Sequence, residues 1–231
     1  MALPTNTFAT YEAIGNREDL SDMIYRIDPT DTPFMTGIDK TKAAAVNHEW
    51  QTQALAAASS SNFQLEGDDA TADAATPTVR LGNIAQISRK VPQVSGTQQA
   101  VEHAGRDNEM AYQEMLKGLE LKRDMETTLA GTNQAKVTGA DATPRKTASV
   151  LSWIKSNTSK AGSDPAAADG TGTRSDGTQR AFTESQLKTV LQSAWNNGGK
   201  PDTIMTGGFN KQVFSTFTGR ASPIEEAKSK K

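Results

Sequence analysis

Cysteine is absent from the 231 residues, which excludes disulfide scaffolds, thiol catalysis and cysteine-ligated zinc. Histidine occurs only at His48 and His103, so imidazole chemistry has little to work with. His48-Glu49 opens like a zinc-protease helix motif, but Thr52 stands where the second histidine is required and the local pattern is that of a strand. No G-x-S-x-G elbow occurs to build a nucleophile around. Gly198-Gly199-Lys200-Pro201 resembles a phosphate loop in composition only, since no glycine precedes it at position 194 and proline follows the lysine. The stretch from Asp169 to Gly177 has the acids and glycines of a calcium loop without its ligand spacing or terminal glutamate. No catalytic, cofactor-binding or metal-ligating residue is therefore expected.

Apolar residues are also scarce, at 35% of the chain with 6% aromatic, and no run approaches the length of a membrane span. The stretch from Met1 to Thr10 lacks a basic start followed by an apolar run, so no secretory leader is expected. So little apolar content predicts arms and loops whose apolar residues are buried by neighbours instead of by their own domain. The net charge of −2 gives no basic field for nucleic-acid recognition. The charge is nevertheless segregated. Residues 1–39 hold seven acids against Arg17 and Arg26, and Glu66, Asp68, Asp69 and Asp73 cluster with no base among them. Arg80, Arg89, Lys90 and Arg106 face only Glu102, while Arg145, Lys146, Lys155 and Lys160 form a run without an acid. Opposite signs separated along one chain suit head-to-tail contacts between copies; ordinary solvated loops are the plainer alternative.

What is present is a long helix signal from Thr97 to Gly131. Ala111, Met115, Leu119 and Leu129 recur at helical spacing after Val101 and Ala104, and Tyr112, Leu116 and Met125 widen the stripe. Glu120 with Arg123 and Lys122 with Glu126 are spaced to pair on the other face. Ser95 with Gln98 predicts a short capped helix, Gly105 a break, and Asp107 or Asn108 the start of the long helix, with Gly131 as its terminal glycine. Gly118 in its interior marks either close approach of another backbone or a tolerated cost.

Before this spine the first eighteen residues read as an extended arm. Leu20, Ile24 and Ile27 then predict a short amphipathic helix ending at Asp28-Pro29, followed by a turn-rich segment in which Phe34 and Met35 plug another surface. Alternation predicts a strand over Ala45 to Thr52 and another from Thr78 to Val94, with a bulge at Gly82. The intervening Ala54 to Pro77 carries only Leu55, Phe63 and Leu65 as larger apolar residues. A lone ribbon with such a tip is marginal in water and must lie on something. After the spine, Val150, Leu151, Trp153 and Ile154 open a second folding unit, and residues 161–179, without a bulky apolar side chain, read as a mobile loop. Thr183 with Gln186 caps a helix whose buried face is Leu187, Val190, Leu191, Ala194 and Trp195. A strand over Asp202 to Met205 and a helix from Phe209 to Phe217, with Val213 and Phe214 buried and Gly219 as its stop, make this unit α/β. Trp50, Trp153 and Trp195 are expected to pack, and the last ten residues are too polar to close a core.

Several blocks occur together in order: IDPTDTPF (Ile27 to Phe34), NHEWQT (Asn47 to Thr52), LEGDDAT (Leu65 to Thr71), TVRLGNIAQISRK (Thr78 to Lys90), VSGTQQAV (Val94 to Val101) and ELKRDME (Glu120 to Glu126). From about Ala2 to Ala221 the chain thereby resembles the major capsid proteins of tailed bacteriophages. The resemblance implies a mixed α+β chain with the Hong Kong 97-type capsid fold shared by tailed phages and herpesviruses. It implies an N-terminal arm over 1–44, a β-hairpin extended loop over 45–94, a peripheral-domain spine region over 95–131 and an α/β axial domain over 132–231. It also implies a non-enzymatic subunit that assembles with itself in hexamers and pentamers of an icosahedral head, contacts packaged double-stranded DNA without sequence specificity, and meets cement, scaffolding and portal proteins. Its place would be the virion, reached through the host cytoplasm, with no cofactor and no membrane. Family members usually continue further, with strands that complete the axial domain, so an axial domain incomplete at Lys231 is expected. Inter-subunit contacts are expected at Trp50, Phe63, Leu65, Asp68, Asp69, Arg80, Arg89 and Lys90. Alternatives of other classes are a shell-forming compartment protein without a genome and a hydrolase using His103.

Overall fold

A computed structural model of the chain describes residues 6–16 and 18–218. The first five residues of the expected arm, Arg17, the expected stop at Gly219 and the polar tail lie outside the described residues. In chain order the elements are α1 (Pro33–Gly37), β1 (Asn47–Thr52), β2 (Val79–Ile84), α2 (Gly96–Ala100), α3 (Glu109–Glu126), a π turn (Thr127–Gly131), a 3-10 turn (Val150–Ser152), α4 (Glu184–Asn196) and α5 (Gly208–Ser215). The chain is thus mixed helix and strand. It divides into two compact units: the described residues up to Asp31 with Arg89–Arg123, and Thr32–Ser88 with the described residues from Asp124 onward.

The first unit is organised by α2 and most of α3. Ser95 Oγ accepts from Gln98 N at 3.2 Å and starts α2, because a side-chain acceptor satisfies an otherwise orphaned amide. The break falls at Gly105, whose φ of +77° is left-handed backbone that favours glycine. Asn108 Oδ1 accepts from Ala111 N at 3.0 Å and begins α3. No helix forms over 20–27; the segment is irregular and Asp22 accepts from the Gly105 amide. Eight residues are too few to hold a helix without packing, and here Ile24 to Thr30 instead line a shallow hollow against Tyr112, Leu116 and Leu119. The half-buried face of α3 is therefore Tyr112, Leu116 and Leu119, while Ala111 and Met115 are exposed. Of the expected stripe, the side widened by Tyr112 and Leu116 is thus the covered one, because residues of the 24–30 segment lie against it. Nothing lies within 4 Å of where a Gly118 Cβ would stand, so this glycine is tolerated within its chain.

In the second unit the helix leaves through the π turn, and Gly131 does not take the left-handed conformation of a terminal glycine. Glu126 does not serve the expected surface pair with Lys122. Its Oε1 and Oε2 accept from Phe34 N and Met35 N at 2.7 and 2.8 Å, which caps α1 in place of a neighbouring side chain. The turn-rich segment is thus docked through its backbone, with Phe34 and Met35 only half-buried.

β1 and β2 pair antiparallel in one continuous register from Asn47↔Ile84 to Thr52↔Val79, with Glu49 opposite Gly82 and no bulge there. A Cβ at Gly82 would stand 2.7 Å from Glu49 Cγ and 3.1 Å from His48 O, which explains the glycine by close approach. β2 stops at Ile84 instead of running on to Val94, because the side chains of Asn83 and Gln86 turn to Gln134, Thr147 and Ala148. The two strands form the only sheet among the described residues. The expected strand over Asp202 to Met205 finds no partner among the described residues and stays unpaired, so the α/β reading of the C-terminal unit does not hold there.

The stretch 161–179, expected to be mobile, is anchored by small residues and polar bonds. Pro165 is fully buried, Lys136 N donates to Gly170 O at 2.8 Å, and Ser175 N donates to Ser163 O at 3.1 Å. Asp164 accepts from Thr158 Oγ1 at 2.9 Å and pairs with Lys160 at 2.7 Å and Arg174 at 3.7 Å. The absence of bulky side chains does not imply looseness, since a compact Ω-type loop is packed by its own backbone. α4 starts where expected, at Thr183, but Trp195 on its expected buried face is 72% exposed. α5 ends at Ser215, with Phe214 exposed at its edge and Phe217 edge-on to it at 5.7 Å and tilted against Phe182 at 5.1 Å.

Candidate functional site

The hairpin is held at its root and free at its tip. At the root, Asn83 Oδ1 accepts from Ala148 N at 2.9 Å, and Gln86 Oε1 accepts from Thr147 N at 3.2 Å and from Gln134 Nε2 at 3.0 Å. Lys136 Nζ donates to Gly82 O at 2.7 Å and lies 5.6 Å from the Trp153 ring, which in turn sits 5.2 Å from Trp50. Ile84 and Ala148 are the buried apolar side chains of this junction, and with Ser149 and Ser152 fully enclosed the core is small and largely polar. The buried hydroxyls are satisfied: Ser152 Oγ donates to Gln134 O at 2.7 Å and Ser149 Oγ accepts from Gln134 N at 3.1 Å.

Beyond Thr52 the two chain directions separate. Gln53 Nε2 donates to Thr76 O at 2.9 Å, and the remaining bonds of the tip run between close neighbours, such as Asp68 N to Leu65 O at 3.2 Å. Leu55, Phe63 and Leu65 are 97%, 79% and 82% exposed. Of the expected contact residues, Phe63, Leu65, Asp68 and Asp69 are together on this tip and exposed. Trp50 packs on Trp153 of its own chain, and Arg80 pairs across the strands with Glu49. Arg89 and Lys90 belong to the other compact unit, where Lys90 lies 3.9 Å from Glu120.

Three carboxyls sit below the usual carboxylate range. Glu109 is held down by hydrogen bonds from Gln113 and Arg106. Asp164 is held down by the Lys160 ammonium and then by Thr158, and Asp169 by the hydroxyl and amide of Thr171. These groups secure loops and helix starts. Among the described residues no cluster of three or more histidine or acidic side chains could hold a metal, and no helix is long and apolar enough to cross a membrane.

The anchoring residues Asn83, Gln86, Gln134, Lys136 and Glu126 were not legible beforehand. Their partners lie 13 to 92 positions away, and the sole local hint is that Asn83 and Gln86 interrupt the apolar alternation of the strand expected over Thr78 to Val94.

A profile of the SU10 major capsid protein family matches residues 3–231. The major capsid protein of Escherichia phage Phieco32 is 38% identical over 129 residues, covering 56% of this chain and 36% of the relative's length. The chain thus aligns with about a third of that protein.

Proposed function

Because the chain belongs to the SU10 major capsid protein family, we propose that it acts as the repeating subunit of an icosahedral phage head enclosing double-stranded DNA. The role is structural. We further propose the Hong Kong 97-type organisation, with an arm over 1–44, an extended loop over 45–94, a spine region over 95–131 and an axial domain over 132–231. Copies would meet in hexamers and pentamers, touch DNA without reading its sequence, and assemble in the host cytoplasm before residing in the virion.

The observation that carries this reading is unburied apolar surface. Phe8, Tyr11, Ile14 and Ile27 in the N-terminal stretch are exposed, as are Leu55, Phe63 and Leu65 on the hairpin tip. Large apolar side chains left exposed in this number suit burial by a partner, and a repeated heterologous contact buries them without symmetry-paired patches.

Electron microscopy of the purified protein tests the proposal. Shells or capsomers are expected, and protein that stays monomeric across salt and concentration defeats it. A second test removes residues 59–73. The hairpin would lie over a neighbouring copy; the bonds of its 59–73 segment are internal to the tip, so folding survives while particles are lost or disordered, and unchanged particles would refute that overlap.

A further inference from the structure

The tip needs a receptor, and the same unit carries a complementary one. Residues 53–78 contain no lysine or arginine, and Glu66, Asp68, Asp69 and Asp73 leave the tip strongly acidic around exposed Phe63 and Leu65. The turn after the spine is a small preformed hairpin. Val137 pairs with Lys146 through two bonds of 3.0 Å, and Ala140 pairs with Thr143 at 2.9 and 3.0 Å. Thr138 to Ala140 and Thr143 to Arg145 of this turn, with Ile87, itself 75% exposed, line a hollow of about 360 Å³. Arg145 lines it and Lys146 stands beside it, and neither has an ion-pair partner among the described residues. Asp141 is the one acid of this turn, so the rim stays net positive.

We propose that Phe63 or Leu65 on the hairpin tip of one copy seats in the hollow of residues 138–145 and Ile87 of a second copy, with Glu66, Asp68 and Asp69 against Arg145 and Lys146. This rests on the shell reading and names the two surfaces that meet. The occupant is a second copy because the register directs a chain's own tip away. Ile87 follows the root pair Asn47↔Ile84, while the tip begins at the opposite pair Thr52↔Val79, about 17 Å further along the strands. The described bonds of the tip stay within residues 51–79. The contact joins two different patches, so it repeats from copy to copy instead of closing on itself, and opposite charges fix its register.

The absence of cysteine makes the test clean. Full-length Leu65→Cys and Ala140→Cys are mixed under mild oxidation and scored for covalent dimer on a non-reducing gel. The mixture is expected to give several-fold more dimer than either variant alone or than Leu65→Cys with Ala181→Cys, an exposed position on the approach to α4. Adding Asp68→Lys and Asp69→Lys to the tip lowers the yield, and Arg145→Glu with Lys146→Glu on the receptor restores it. A yield equal to that of the Ala181 control, or charge reversal on both sides without recovery, overturns the docking. Normal particles from the Arg145→Glu, Lys146→Glu chain would also overturn it while leaving the shell reading in place; wild-type protein that never assembles defeats the shell reading instead.

Discussion

Glu126 shows how one residue late in the spine fixes a segment more than ninety positions earlier. Its carboxylate supplies both acceptors for the free amides of α1, a helix that has neither the length nor a local cap to stand alone. Glu126→Ala is expected to cost about 1–2 kcal/mol and to speed hydrogen exchange at the Phe34 and Met35 amides selectively. Exchange unchanged at those two sites would rule the cap out. Asp164 does comparable work in the 161–179 loop. Its pKa, with those of Glu109 and Asp169, is depressed in the folded chain, so the stabilisation is present above the unfolded carboxyl values and lost as pH falls through the folded ones. Thermal melts should therefore hold level near neutrality and drop below about pH 4. Asp164→Asn should melt lower at neutral pH and depend less on acid; an acid limb identical to wild type would remove Asp164 from the account.

The elements differ in what holds them. α3 follows from its own sequence: a capping asparagine, helix-forming residues and no proline. Gly118 is its weak position, and with no neighbour near its missing Cβ, Gly118→Ala should stabilise the dispersed chain by about 0.5–1 kcal/mol. Gly170 is the opposite case. Its φ is +78° and a Cβ there would stand 2.7 Å from Trp153 Cζ2, so Gly170→Ala should destabilise by about 1–3 kcal/mol and perturb Trp153 fluorescence. Opposite signs for two glycine-to-alanine changes, read by denaturant melts, check both arguments; equal signs would contradict one. The hairpin is intermediate. Its pairing is local, but its anchorage depends on side chains that reach across to Gln134, Thr147 and Ala148.

At the scale of the whole molecule, burial is incomplete by a wide margin. Ile84, Ala148 and Pro165, the buried apolar side chains among the described residues, cannot supply the apolar burial that ordinarily offsets chain entropy. Contacts between copies are the available source. The melting temperature is therefore expected to rise with protein concentration as assembly proceeds. A midpoint constant over a hundredfold dilution would show that the chain gains nothing from its copies.

The sequence by itself determined the absence of familiar catalytic motifs, the Ser95 cap, the break at Gly105, a start of α3 at Asp107 or Asn108, a hairpin of one strand ending at Thr52 with another beginning near Thr78, and α4 from its Thr183 cap. These depend on neighbours a few residues apart or on strong periodicity, where local backbone geometry dominates. Its ordered blocks also pointed to a capsid-protein family. Only the tertiary structure decided which face of α3 is covered, that residues 20–27 lie irregular, that Glu126 caps α1, that β2 ends at Ile84, that 161–179 is anchored, and that Trp195 stays exposed while the Asp202 to Met205 stretch stays unpaired. Each of these turns on a partner remote in sequence, or on the lack of one, and no local pattern encodes which distant group will satisfy a given amide, carboxylate or apolar face.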